Sequence, residues 1–146
     1  MATLTWESLI DAPPETVWDV LTDHRGYSSI TTVRRSELER EGDPAPNGVG
    51  AIRVMRTAGP PLREEVIEFE PPHRFAYRLL SGAPLRDHVG TVELAPATRG
   101  TRLSYRVDTT PTIPVIGGGA VAVMRLVVGR LIRGIARESE KRAAAR

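Results

Sequence analysis

The strongest constraint on the fold is a change of hydrophobic period in the last third of the chain. The stretch "AVAVMRLVVGRLIRGIARESEKR" spaces apolar residues four apart, which is the spacing of one face of an α-helix. The residues of this face are Val123, Val127, Leu131 and Ile135, widened by Met124, Val128 and Ile132. We therefore predict one long amphipathic helix over residues 120–142.

The chain before this helix is divided into short segments by clusters of Gly and Pro. These clusters are "GDPAPNG" (42–48), "AGPP" (58–61), "EPP" (70–72), "SGAP" (81–84) and "PATRG" (96–100). The segments between them predict consecutive antiparallel strands. A strand over residues 3–10 and a short helix starting at the Pro13–Pro14 pair precede them. The predicted order is strand, helix, five or six strands and a long helix, which is an α+β fold.

A sheet of this kind needs an element to cover its apolar face, so we predict that the final helix packs on the sheet. The other face of that helix carries four arginines, at 125, 130, 133 and 137. Contact of this face with an anionic membrane is the less favoured alternative.

Alternation along the strands assigns side chains to the inner face of the sheet. In "RFAYRLL" the inner residues are Phe75, Tyr77 and Leu79, and in "TRLSYRV" they are Leu103, Tyr105 and Val107. In "LRDHVGTVEL" an inward Val92 and Leu94 bring His88 to the same face.

Two strands each allow two registers. "GAIRVMR" turns either Ala51, Arg53 and Met55 inward, or Ile52 and Val54. "REEVIEF" turns either Glu65, Ile67 and Phe69 inward, or Val66. We take the first option for each strand.

With these registers the inner face carries five polar side chains: Arg53, Glu65, Tyr77, His88 and Tyr105. Two buried charges are costly unless paired, so Arg53 and Glu65 are expected to lie within reach of one another. Such a set fits a lined small-molecule cavity better than a packed core. The alternatives are a core histidine with a hydrogen-bonded ring, core tyrosines, and a structural ion pair.

Composition excludes several classes of function. The 146 residues contain no cysteine, so a thiol nucleophile, a cysteine zinc site and disulfides are absent. The net charge is +2, with 20 basic and 18 acidic residues spread along the chain, which does not favour nucleic-acid binding. We expect neither a leader nor a segment that crosses a bilayer, and expect one cytoplasmic domain over residues 1–146.

Several stretches resemble the START-like superfamily of polyketide cyclases, dehydrases and lipid-transport proteins (SRPBCC). They are "IDAPPETVWDVLTDHRGY" (10–27), "GVGAIRVMR" (48–56), "EVIEFEPPHRFAYRLLSG" (65–82) and "GTVELAPATRGTRLSYRV" (90–107). The resemblance implies a helix-grip fold, in which a strongly bent antiparallel sheet wraps the long final helix around a deep pocket. None of the dedicated catalytic signatures of the aromatic polyketide cyclases is recognised.

The resemblance also implies which residues line the pocket. Arg53 matches a position where relatives often place a pocket arginine, Glu65 matches a pocket acid, and His88 falls at a lining position. Loops "AGPP" and "SGAPLR" are expected at the mouth. The full set of expected ligand-binding residues is Arg53, Met55, Ile67, Tyr77, Leu79, Tyr105, Val123, Val127 and Leu131.

Two functions follow from these expectations. The favoured one is a binding protein for a small hydrophobic molecule with a polar or acidic head. The alternative is a cyclase, dehydratase or isomerase that works without metal or organic cofactor. In that case His88 or Glu65 is the candidate general base, and Arg53 or a tyrosine stabilises an enolate oxygen.

Overall fold

The computed structural model describes residues 1–23, 26–27, 33–112 and 117–145, so part of the 10–27 stretch lies outside it. The elements, in chain order, are β1 (Ala2–Ile10), α1 (Pro14–Thr22), β2 (Arg35–Arg40), β3 (Ile52–Arg56), β4 (Leu62–Glu70), β5 (Arg74–Ser81), β6 (Leu85–Ala97), β7 (Gly100–Pro111) and α2 (Gly117–Ala144). The predicted order is confirmed, with six strands following α1.

The seven strands form a single sheet in the order β1-β7-β6-β5-β4-β3-β2. Every neighbouring pair is antiparallel. Strands β3 to β7 are joined by short connections at the predicted Gly and Pro clusters. This curled sheet with its long carboxy-terminal helix confirms the helix-grip fold.

Helix α1 closes one end of the inner face. Pro13 and Pro14 suit its first turn because a proline there removes no intrahelical hydrogen bond. Val17 and Leu21 are fully buried, and the Trp18 ring stands edge-on to an aromatic neighbour on β4. Strand β1 and helix α1 therefore contribute residues to the same hydrophobic core as α2.

Helix α2 packs on the sheet, as predicted, and is a few residues longer than the sequence pattern indicated. Its buried face consists of Met124, Val128, Ile132 and Ile135. The exposed fractions of Val123 and Val127 are 60% and 46%, so these two valines lie at the edge of the contact. The four arginines of its other face are exposed, and within the described part of the chain none of them forms an ion pair. No described helix is both long and apolar enough to cross a membrane.

Strand β3 takes the register that we chose. Arg53 and Met55 are buried and face the interior side that α2 covers. Ile52 and Val54 are also buried, which explains why the sequence pattern did not distinguish the two faces.

Strand β4 takes the other register, so the inward assignment of Glu65 and Ile67 is wrong. Glu64 and Val66 are buried, whereas Ile67 is exposed. The pairing with β5 shifts from Val66↔Tyr77 to Glu68↔Ala76, so residue 67 is the extra residue of a β-bulge. Phe69 faces inward, as predicted. Strict alternation from Phe69 would also turn Ile67 and Glu65 inward, but the bulge at residue 67 interrupts the alternation, so Val66 and Glu64 face inward instead.

Candidate functional site

A cavity of about 680 Å³ lies between the inner face of the sheet and α2. Its volume falls within the range of about 300–1,000 Å³ that is typical of small-molecule pockets. Its wall is mainly apolar, and the predicted residues that line it are Arg53, Met55, Tyr77, Leu79, His88, Tyr105, Val123, Val127 and Leu131. Ala83 and Pro84 of the "SGAPLR" loop also border it.

One polar side chain from each of five neighbouring strands lines this cavity. They are Arg53 on β3, Glu64 on β4, Tyr77 on β5, His88 on β6 and Tyr105 on β7. We call these five residues the polar cluster. The cluster is contiguous, because Tyr77 lies beside three of the other four members.

Arg53 and Glu64 form a buried ion pair. They are directly opposite one another on β3 and β4, and Arg53 Nη2 donates a hydrogen bond of 2.6 Å to Glu64 Oε1. The exposed fractions of the two residues are only 3% and 6%. The attraction between the two charges offsets the free-energy cost of removing them from water. An isolated buried charge would have no such compensation.

Aromatic rings surround the rest of the guanidinium group. Arg53 Cζ lies 5.2 Å from the ring centres of Phe75 and Tyr77 and 5.8 Å from that of Tyr27. These distances allow cation–π attraction. Arg53 Nε and Nη1 are buried and have no hydrogen-bond partner within the described residues.

The charges of this pair are set by opposing effects. Burial alone would lower the pKa of Arg53, but the Glu64 carboxylate more than offsets this, so its pKa is raised and Arg53 stays protonated. Burial raises the pKa of Glu64, and the charge of Arg53 acts against that rise. The pair therefore carries no net charge while Glu64 is ionised.

The two tyrosines of the cluster share a hydrogen bond. The hydroxyl oxygens of Tyr77 and Tyr105 are 2.5 Å apart, and either can donate. Burial raises the pKa of both, so both are neutral phenols. Only one of their two protons is used in the mutual bond, which leaves the other hydroxyl able to donate to a ligand.

Gly90 makes the tyrosine contact possible. It pairs with Tyr77 across β5 and β6, and a Cβ atom at this position would lie 2.3 Å from Tyr77 Cζ. Because glycine has no side chain, the Tyr77 ring can lie across β6 toward Tyr105 on β7.

His88 faces inward, as predicted, and its ring is fixed from one side. His88 Nδ1 lies 3.0 Å from Thr109 Oγ1, and both residues are buried. Burial lowers the pKa of His88, which favours the neutral imidazole. His88 Nε2 has no hydrogen-bond partner within the described part of the chain, so one ring nitrogen remains available.

Glu65, the predicted partner of Arg53, lies on the outer face of the sheet instead. Its carboxylate accepts hydrogen bonds from Arg40 Nη2 at 2.8 Å and from Arg78 Nε at 2.7 Å. Neither Glu65 nor Ile67 lines the cavity. A general-base role for Glu65 is therefore wrong, because its carboxylate cannot reach a molecule between sheet and helix.

Sequence reasoning missed Glu64, although one signal points to it. Residues directly opposite on antiparallel strands share a face, so an inward Arg53 requires an inward partner on β4. The β3–β4 hairpin pairs Met55 with Leu62 and hence Arg53 with Glu64. Thr109 was also missed. It holds the His88 ring through a contact between two strands, which the sequence of either strand does not show.

The chemistry available in the cavity is that of hydrogen bonding and proton transfer. Neutral His88 can accept a proton, and a tyrosine hydroxyl can donate to a developing oxyanion. Among the described residues, no group of three or more His, Cys, Asp and Glu side chains is arranged to hold a metal ion.

Comparison with solved structures finds this fold in several proteins. XoxI from Bacillus cereus superposes with a TM-score of 0.77 at 14% identity, covering 95% of this chain and 96% of its own. A START superfamily protein from Mycobacterium smegmatis gives a TM-score of 0.74 at 13% identity, covering 98% and 97%. At such identities the similarity concerns the fold.

A larger protein shares the fold over half of its length. The di-domain ARO/CYC protein StfQ from the steffimycin biosynthetic pathway gives a TM-score of 0.80 at 17% identity. The match covers 97% of this chain and 51% of StfQ. No curated protein matches the sequence.

A family model supplies the assignment that the fold alone cannot. The model described as "Polyketide cyclase / dehydrase and lipid transport" matches residues 1–144, which is nearly the whole chain. This match agrees with the curled antiparallel sheet, the long final helix and the cavity between them. The chain therefore belongs to the polyketide cyclase/dehydrase and lipid transport family.

Proposed function

We propose that this protein binds a small hydrophobic molecule with a polar or acidic head, as a carrier, sensor or sequestering protein. The observation that carries the proposal is the 680 Å³ cavity, whose apolar wall is interrupted by one contiguous polar cluster. Apolar walls with a few convergent polar groups are typical of small-molecule sites. The family's description, which includes lipid transport, supports a ligand with a large apolar part.

Different parts of the cavity would contact the apolar body and the polar head of the ligand. Met55 and Leu79 on the sheet and Val127 and Leu131 on α2 would contact the apolar body. The polar cluster would hydrogen-bond the head. Val123 and Val127 line the cavity and are also exposed, which supports an entrance along this side of α2.

A matched pair of tryptophan variants tests where the molecule binds. Leu79 lines the cavity, whereas the next residue, Leu80, is exposed and does not line it. Leu79→Trp should place a larger ring in the cavity and reduce the fluorescence increase of Nile red, a neutral apolar dye, while Leu80→Trp should bind the dye like the unaltered protein. Equal dye binding by both variants would refute a site in this cavity.

Mass spectrometry of the natively purified protein addresses the ligand itself. We expect an organic extract of the unaltered protein to contain a hydrophobic compound that is absent from an extract of Leu79→Trp. Identical extracts from the two proteins would count against retention of a ligand in the cavity.

A second candidate function is proton-transfer catalysis, favoured by the one free ring nitrogen of His88. In this reaction His88 Nε2 would take a proton from the carbon beside a carbonyl group. The carbonyl oxygen would then carry the enolate charge and accept a hydrogen bond from Tyr77 or Tyr105. Replacement of the proton on His88 by one from the solvent, followed by transfer of that solvent-derived proton to the carbon, completes an exchange without net reaction.

Deuterium exchange tests this candidate without knowledge of the natural substrate. The probe is 2-tetralone in deuterated buffer, followed by NMR at its acidic C–H positions. The unaltered protein and a variant of the exposed His73, His73→Gln, should accelerate exchange, whereas His88→Gln should not. Exchange at the buffer rate with the unaltered protein would exclude the catalytic candidate for this class of ketone.

A further inference from the structure

The charge balance of the cavity wall constrains the head of the ligand. Among the described residues that line the cavity, Arg53 and Glu64 are the two charged side chains, and they neutralise one another. His88 is held toward its neutral form, and the three tyrosines of the wall, Tyr27, Tyr77 and Tyr105, are phenols. The wall therefore offers a ligand hydrogen bonds but no net positive charge.

The geometry of the ion pair also shields the arginine from an incoming anion. One end of the guanidinium group is occupied by Glu64, and three aromatic rings surround Arg53 Cζ within 5.8 Å. Arg53 Nε and Nη1 are buried and have no hydrogen-bond partner within the described residues, and the charge of the group is already balanced by Glu64. A carboxylate in the cavity would thus find no uncompensated cation and would place a second negative charge close to Glu64.

The groups that remain available suit an uncharged head. Glu64 Oε2 and His88 Nε2 have no hydrogen-bond partner within the described residues, and both can accept from a hydroxyl group. Of the Tyr77 and Tyr105 hydroxyl groups, the one that accepts the mutual hydrogen bond can itself donate a hydrogen bond to a hydroxyl or carbonyl oxygen of the ligand. An alcohol, phenol or ketone can use these groups without adding charge.

We infer that Glu64 determines specificity: by closing the ion pair with Arg53 it selects ligands with an uncharged oxygen-bearing head over carboxylates. This inference rests on the proposed binding function and narrows its ligand class. A carboxylic acid enters such a site only together with one proton, which it keeps or passes to Glu64.

Two probes of nearly equal size separate these classes. They are 2-naphthalenemethanol, which is neutral, and 2-naphthoate, which is charged near neutral pH. Isothermal titration of the unaltered protein should show about tenfold or tighter binding of the alcohol, since a second buried charge close to Glu64 is strongly disfavoured.

Variants of the pair give the diagnostic result. Glu64→Gln keeps the size and a hydrogen-bond acceptor but leaves the charge of Arg53 uncompensated, so the order of the two affinities should reverse. Adding Arg53→Met to Glu64→Gln removes that charge and should restore the preference for the alcohol. Glu65→Gln, next along β4 but on the outer face, is the matched control and should leave the order unchanged.

The possible outcomes distinguish failure of the specificity role of Glu64 from failure of the proposed binding function. Tighter binding of naphthoate by the unaltered protein, with no change in Glu64→Gln, would overturn the specificity role and leave the binding function standing. Binding of neither probe would count against both. If Glu64→Gln does not fold, titration of the unaltered protein with naphthoate in two buffers of different ionisation enthalpy still decides, because uptake of one proton is expected and uptake of none would refute the inference.

Discussion

At the scale of single residues, the Arg53–Glu64 pair buries two opposite charges, with exposed fractions of only 3% and 6%. Removing one partner leaves the other charged and desolvated, which typically destabilises a protein by about 3–5 kcal/mol. We therefore expect Glu64→Ala to lose more stability in the unaltered protein than in an Arg53→Met background. The coupling should be about 1 kcal/mol or more, measured by urea unfolding of the four proteins of the double-mutant cycle.

The ion pair on the opposite face of the same strand is the control. Arg78 on β5 is 56% exposed and Glu65 on β4 is 16% exposed, and pairs that solvent reaches couple by about 0.2–1 kcal/mol and weaken further in salt. Strict additivity for Arg53 and Glu64, or equal coupling in the two cycles, would show that the inner pair is not electrostatically isolated from water.

His88 gives a prediction on pH dependence. Burial lowers its pKa in the folded protein, so the unfolded chain takes up a proton first as the pH falls through about 6.5. This contribution to stability is complete above that pH and is lost between the unfolded and the folded pKa. Between pH 7 and pH 5, His88→Gln should therefore lose less stability than the unaltered protein, as followed by urea unfolding. Equal losses of stability in the two proteins would contradict this assignment to His88.

At the scale of elements, the packing of the Tyr77 ring of β5 across β6 depends on Gly90. A methyl group there would overlap the Tyr77 ring, and overpacking of this kind usually costs about 1–3 kcal/mol. We expect Gly90→Ala to lower the urea midpoint and to weaken Nile red binding through displacement of Tyr77. Gly59→Ala is the matched control, because no atom lies within 4 Å of its added methyl group. Unchanged stability of Gly90→Ala would show that the Tyr77 ring has another position available.

The same scale explains which strand faces could be predicted from the sequence. Alternation was sufficient for β5 and β7, because each of them keeps one face buried along the residues that were assigned. It failed for β4, because the bulge at Ile67 lets Val66 and Phe69 both face inward although they are three residues apart. A pattern of apolar residues does not reveal an inserted residue, whereas the pairing of β4 with β5 does.

The polar cluster could be predicted only in part for a related reason. Tyr77, His88 and Tyr105 follow from their own strands, and each was placed on the inner face by its apolar neighbours. The partner of Arg53 depends on hairpin register, and the partner of His88 depends on a contact between β6 and β7. These are relations between strands, which a pattern within one strand does not contain.

At the scale of the whole molecule, the two halves of α2 have different surroundings: the first half borders the cavity, and the second half packs against protein. Residues 123–131 form one wall of the cavity. Further along, Ile135 and Ser139 are fully buried, and Glu140 Oε2 accepts a hydrogen bond from the backbone N–H of Asp11. The second half of the helix is therefore packed against protein, whereas the first half faces a space that a ligand would fill.

This division predicts where a bound ligand is felt. A ligand that fills the cavity adds contacts to residues 123–131 and stabilises the folded state by RT ln(1 + [L]/Kd), about 2.7 kcal/mol at a hundredfold excess over Kd. Hydrogen–deuterium exchange should therefore slow in the first half of α2 and in the cavity-facing strand β5, with little change over residues 135–144, since those contacts already exist without ligand. The probe is 2-naphthalenemethanol, and Leu79→Trp, in which a larger ring occupies part of the cavity, should show weaker ligand-dependent slowing. Equal slowing along the whole helix would mean that the two halves open as one unit, and slowing confined to residues 135–144 would place the ligand outside this cavity.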